Sequence, residues 1–297
     1  MLFTSSNGIE GLKMQIKNFY NELRIRVYLG IFTFALLSAI SGCNSRPEIK
    51  QSLEVKSREP VLEAKFNPDI TEYALLINGT FGDEHTTNLL DAYSSLLKRG
   101  YNPNNVFIVA PSDPRPITEK GDLRDFGRYF ETRFGALEKA VNELKSRVDK
   151  NDMLLIYMTG DGIKKEDNFG ERSCLELTDG NEINSESFAK SVLRLNCGGI
   201  LAVFGQCYSG DFARKLYEEA KKRGKLVTTV SSTDEDFSTF GRTYNRAFWD
   251  AVNGGKSIER AHKYATGKVI TELKPKHPEE GNTKYFSTDN REHNFTE

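Results

Sequence analysis

Between residues 70 and 268, short apolar runs alternate with amphipathic stretches, and this alternation constrains the chain more than any other feature. The runs 73–78 (YALLIN), 105–110 (NVFIVA), 153–158 (MLLIYM), 199–204 (GILAVF) and 226–230 (LVTTV) each read as a short buried strand. Helical stretches separate them. One covers 85–98 and is closed by Gly100, and a second carries Phe134, Leu137, Val141, Leu144 and Val148 on one face at spacings of three and four. Others cover 185–195, a segment from near Ser209 to about Arg223, 243–253 and 256–268. Strands joined by helices form a mostly parallel sheet covered on both faces. The expected fold class is therefore α/β, a three-layer α/β/α sandwich.

In such sheets, chemistry collects outside the carboxyl ends of the strands. Two glycine-flanked loops sit there: Thr159-Gly160-Asp161-Gly162 after the third run and Gly205-Gln206-Cys207-Tyr208-Ser209-Gly210 after the fourth. A thiol at Cys207, between a strand and a helix, faces backbone N–H groups and the positive end of the helix dipole, both of which favour thiolate. Its flanking glycines let another backbone approach closely. The plainer alternative is a buried structural cysteine.

Composition narrows the chemistry. The 41 basic and 42 acidic side chains leave a formal net charge of −1, which argues against a nucleic-acid binder working through a basic face. The cluster Lys221, Lys222, Arg223 and Lys225 reads as a solvated helix end. No HExxH, CxxC or carboxylate cluster suggests a metal, and no P-loop or GxGxxG suggests a nucleotide, so no cofactor is expected.

The front of the chain is different. Lys17, Arg24 and Arg26 form a positive region, residues 27–40 are short and mostly apolar, and small residues lead into Cys43. That is the pattern of a secretory signal, and Ile40-Ser41-Gly42-Cys43 resembles the bacterial lipobox, whose cysteine is acylated. Residues 1–42 are expected to be a lipoprotein-type signal peptide, 43–69 the lipidated Cys43 and a flexible tether, 70–273 the domain, and 274–297 a polar tail. Acyl chains at about 0.8 kcal/mol per buried methylene would hold such a protein on a bacterial envelope membrane without a spanning helix. With Cys43 lipidated, three cysteines remain; Cys174 and Cys197 are a possible disulfide that leaves Cys207 unpaired.

The order of apolar strand, T-G-x-G, apolar strand, Q-C-Y-S-G and helix resembles the cysteine peptidases of the caspase–legumain fold over roughly residues 70–268. The helix carrying His85 and ending LLKRGYNPNNVFIV resembles legumain-like enzymes, and LVTTVSSTDEDFS resembles the strand and loop lining the family's specificity pocket. The resemblance implies a peptide or protein substrate, Cys207 as nucleophile, and the backbone N–H groups of Gly162 and Cys207 as oxyanion hole. It also implies Glu84, His85, Ser231 and Asp234 near the substrate side chain.

One departure outweighs the matches. The family's general base is a histidine between the two glycines of this motif, and here that position is Asp161. A carboxylate ionised at neutral pH has no proton for a departing amine, and its charge opposes a neighbouring thiolate. Loss of acid–base help costs about 10²–10⁴ in rate. Glu84 stands where legumain-like enzymes place an arginine beside their histidine. An acidic pocket taking Lys or Arg and a plain solvated acidic loop are both compatible with Glu84 and Asp234-Glu235-Asp236. Three readings stay open: an impaired peptidase or peptide-binding pseudoenzyme, a binding lipoprotein using the fold as scaffold, and an active endopeptidase with an unusual base.

Overall fold

A computed structural model describes residues 70–112, 127–167, 170–236, 242–273 and 283–287. The expected signal peptide, Cys43, the tether and most of the expected tail lie outside these residues. Among them no helix is long and apolar enough to cross a membrane.

The five expected strands form, within a residue or so at each end, as β1 (Glu72–Asn78), β2 (Val106–Ala110), β4 (Met153–Thr159), β8 (Gly199–Phe204) and β9 (Val227–Ser231). With the short strands β3 (Arg128–Glu131) and β10 (Lys284–Ser287) they make a seven-stranded sheet in the order β10-β9-β8-β4-β1-β2-β3. All neighbours run parallel except β9 and β10. Alternate side chains leave the strands on opposite faces. Leu75, Ile77, Phe107, Val109, Ile156 and Phe204 pack under α2 (Ala136–Lys145), α3 (Ser185–Val192) and α4 (Ser209–Lys222). Leu76, Ile108, Leu155, Tyr157 and Val203 pack under α1 (Asp83–Lys98), α5 (Arg242–Asn253) and α6 (Ile258–Lys268). Helices on both faces of one sheet make the three layers.

Five short strands depart from expectation. Arg128–Glu131, where no strand was expected, is the edge strand β3. Lys284–Ser287, expected in the polar tail, is β10 and pairs antiparallel with β9. Two aromatic residues drive that docking: Phe286 stacks on Tyr217 of α4, and Tyr285 lies against His262 of α6. Residues 162–184 fold as a separate three-stranded antiparallel sheet of β5 (Gly162–Asp167), β6 (Gly170–Glu176) and β7 (Glu182–Asn184).

His262 is buried under β10, and its Nδ1 lies 2.7 Å from the Tyr244 hydroxyl. Burial, the largest influence, pushes its pKa down from 6.5 to about 4, Glu259 opposing and Lys263 assisting. The unfolded chain therefore binds a proton between pH 6.5 and 4 that the folded chain refuses. Stability present above pH 6.5 is lost as pH falls toward 4, by about 3 kcal/mol over the window. Urea unfolding of wild type and His262→Gln across that range should show a shallower pH slope in the variant; equal slopes would refute the assignment.

Candidate active site

The chain runs outward from β1 to β2 and β3, then returns to β4 on the other side of β1 and continues outward to β8 and β9. The reversal falls between β1 and β4, and the crevice outside their carboxyl ends is where open α/β sheets bind ligands. Asn78 and Thr159, the last residues of the two strands, are register partners, and both are fully buried. Gly79 N–H donates to the Thr159 carbonyl at 3.1 Å, and Asp161 N–H donates to Thr80 Oγ1 at 3.1 Å. The two loops are thus tied together where the chain leaves the sheet.

Beside them β8 ends at Phe204, and Cys207 follows within the turn into α4. The TGDG and QCYSG loops meet at Gly162: a Cβ there would stand 2.0 Å from the Cys207 carbonyl oxygen, so no other residue fits without moving backbone. Tyr208, the next residue, has φ +54° and ψ 27° and is the one described non-glycine residue with positive φ. Left-handed backbone costs an L-residue about 1–2 kcal/mol, and such strain gathers where the surroundings enforce a special geometry. Here it turns the chain from strand to helix directly behind the thiol. The far wall is the end of β9: Ser232 N–H donates to the Phe204 carbonyl, and Thr233 N–H donates to Ser209 Oγ at 3.2 Å.

Of the expected site residues, Cys207, Asp161 and Gly162 come together. His85 joins them more closely than its place near a specificity pocket implied. In the first turn of α1, its Nε2 lies 3.3 Å from Asp161 Oδ1 and its Nδ1 lies 3.1 Å from Thr159 Oγ1. Glu84 is exposed beside it. Asp234 lies against the start of α4, its carbonyl accepting from Gly210 N–H at 3.3 Å. Its neighbours are already engaged: Asp236 with Lys164 at 2.7 Å, and Glu235 with Arg214 at 2.7 Å. Ser231 is not on the pocket surface. It is fully buried, its hydroxyl donates to the Thr233 carbonyl at 2.7 Å, and it accepts from Lys284 N–H at 3.2 Å, because β10 covers it.

Cys174 and Cys197, the possible disulfide pair, are both free thiols, as is Cys207. Cys174 lies within β6 of the small sheet, opposite Ile163 and Asn184. Cys197 precedes β8 at the amino end of the main sheet, with Lys225 and Asp152 nearby. Burial, then Glu182, pushes the Cys174 thiol up to about 11, and burial raises Cys197 as well. Neither environment favours thiolate, which leaves Cys207 as the thiol at the carboxyl edge of the sheet.

Thr80, Thr159 and Gln206 were not singled out in the sequence, although each borders a loop at a strand end, the one signal available. Gln206 is buried, its amide nitrogen 3.2 Å from Met158 Sδ. No group of three or more metal-ligating side chains occurs among the described residues. An apolar groove of about 470 Å³ between α2 and α3 is lined by Leu137, Leu177, Ile183 and Phe188. Its charged rim is paired, Arg133 with Glu131, Glu138 with Arg194 and Glu182 with Lys165, and presents no reacting group. Compared with known proteins, the chain matches no protein-family model and no curated protein.

Proposed function

We propose that this chain is a lipid-tethered bacterial envelope protein whose domain binds peptides in extended form at a cysteine-peptidase-type site and attacks them slowly through Cys207. The observation that supports the reading most is the contact between Gly162 and the Cys207 backbone. It sets the TGDG loop against the thiol's loop, as a site shared between strands β4 and β8 requires. Thiolate Sγ would attack a peptide carbonyl while the N–H groups of Gly162 and Cys207 receive the developing oxyanion. The C–N bond then breaks, the amine leaves with a proton taken from solvent water, and a second water releases the acyl group as a carboxylate and restores the thiol. With Asp161 at the family's histidine position, proton supply limits the rate, and bound peptide persists.

The test uses the full chain and tagged peptidyl acyloxymethyl ketones carrying Asn, Asp, Lys or Arg before the reactive carbonyl. Label is expected on Cys207 alone, with Cys174 and Cys197 unmarked, and is lost in Cys207→Ala. Peptide binding by a chain whose Cys207 takes no label from any ketone would overturn the nucleophile and leave a binding lipoprotein.

A further inference from the structure

We propose that His85 is the proton carrier of the Cys207 site, with Thr159 as the residue that positions it; the inference rests on the reading of Cys207 as nucleophile. The imidazole reaches from α1 toward Asp161, the place where the resembled family carries its base. It is held on both edges, by Thr159 Oγ1 at 3.1 Å from Nδ1 and by Asp161 Oδ1 at 3.3 Å from Nε2. The histidine side chain is 20 % exposed and the aspartate 59 %, so the ring is the more sheltered partner of the pair.

The protonated ring has a partner for each N–H, Thr159 Oγ1 for Nδ1 and Asp161 Oδ1 for Nε2, whereas the lone pair of a neutral Nε2 would face a carboxylate oxygen with no hydrogen to give. Nδ1–H can donate to the Thr159 hydroxyl throughout. Thr159 is fully buried, and the equally buried Tyr157 hydroxyl beside it also neighbours the Trp249 indole. The Thr159 hydroxyl, which both donates and accepts, can therefore take the hydrogen from Nδ1 and turn its own toward Tyr157. Nε2 is then the atom that changes, a lone pair in one state and an N–H facing Asp161 in the other. A 3.3 Å separation is long for a charge-assisted bond, which suits a contact that tightens only when the ring is charged and substrate is bound.

The proton balance follows. The Cys207 S–H bond breaks, its proton passes to Nε2, and Asp161 supplies the counter-charge to the imidazolium. After thiolate attack, Nε2 returns the proton to the leaving amine as the C–N bond breaks. Asp161 then acts as partner to a base on another helix. Asp161, on the loop after β4, and Thr159, with Tyr157 behind it, face the ring, and the exposed Asp83 and Glu84 precede it in the first turn of α1.

The experiment measures Cys207 labelling by a peptidyl acyloxymethyl ketone against pH. It compares the full chain with His85→Gln, Thr159→Val, Thr159→Ser and the double variant His85→Gln/Asp161→His. His85→Gln should lose about 10²–10⁴ of the rate, the range for a general acid–base group, together with one limb of the pH profile. Thr159→Val should shift that limb, and Thr159→Ser, which keeps the hydroxyl, should bring it back. The double variant should regain rate, because it returns a histidine to the family's position. If His85→Gln labels at the wild-type rate with an unchanged profile, His85 carries no proton here and the inference fails, while the assignment of Cys207 stands. If the wild-type thiol takes no label at all, the parent reading fails as well.

Discussion

Replacing Gly162 by alanine should slow labelling of Cys207 by about 100-fold while leaving the rest of the domain folded. The new Cβ would fall 2.0 Å from the Cys207 carbonyl oxygen and 2.7 Å from its carbonyl carbon, both backbone atoms without a rotamer to move away. Either the start of β5 or the Cys207 turn must shift by about 1 Å, and a misplacement of that size costs roughly 10²-fold in a reaction that depends on alignment. Gly267→Ala is the control. That glycine is exposed in α6 with nothing within 4 Å of its missing Cβ, so alanine there should leave the rate unchanged and add a little helix stability. A Gly162→Ala chain that labels within a factor of three of wild type would show that the two loops do not form one site.

Asp211→Ala should produce the largest loss of stability, about 3 kcal/mol. The Asp211 carboxylate is buried in the first turn of α4, two positions beyond Ser209. Its Oδ2 accepts from Ser185 Oγ at 2.6 Å and from Ser173 N–H at 3.1 Å, and its Oδ1 accepts from Arg214 Nη2 at 2.8 Å. Deletion strands a serine hydroxyl and a backbone N–H in the interior, each costing about 1–3 kcal/mol, and also removes an acid from the positive end of a helix. Arg214 is spared, because Glu218 and Glu235 hold it as well. The same carboxylate joins α4, which follows the Cys207 turn, to α3 and to β6 of the small sheet. Urea unfolding tests this directly; a midpoint within error of wild type at unchanged slope would show that the pocket relaxes or fills with water.

The separate fates of His85 and Asp161 show where local reading stops. Asp161 was legible as a departure from the resembled motif because its neighbours, Gly160 and Gly162, are adjacent in sequence. The contact with His85 joins residues 76 positions apart and depends on α1 starting where it does and on β1 lying beside β4. Glu84 and Asp234 invited an acidic pocket because charge is legible residue by residue. Whether a carboxylate is already paired is a tertiary fact, as Glu235 and Asp236 illustrate.

The chain by itself determined its five buried strands, the four helices that cross between them, the two helices that follow, and the two loops bearing Cys207 and Asp161, because burial on both faces leaves an apolar run in the strand and a three-to-four spacing in the helix. The tertiary structure alone decided the rest. Strands β3, β5, β6, β7 and β10 are short or of mixed polarity and exist through their partners. Ser231 left the pocket wall when β10 covered it, the Cys174 thiol settled within β6 and the Cys197 thiol before β8, and His85 came to face Asp161. Each of these depends on through-space pairing between distant segments, a quantity that periodicity does not encode.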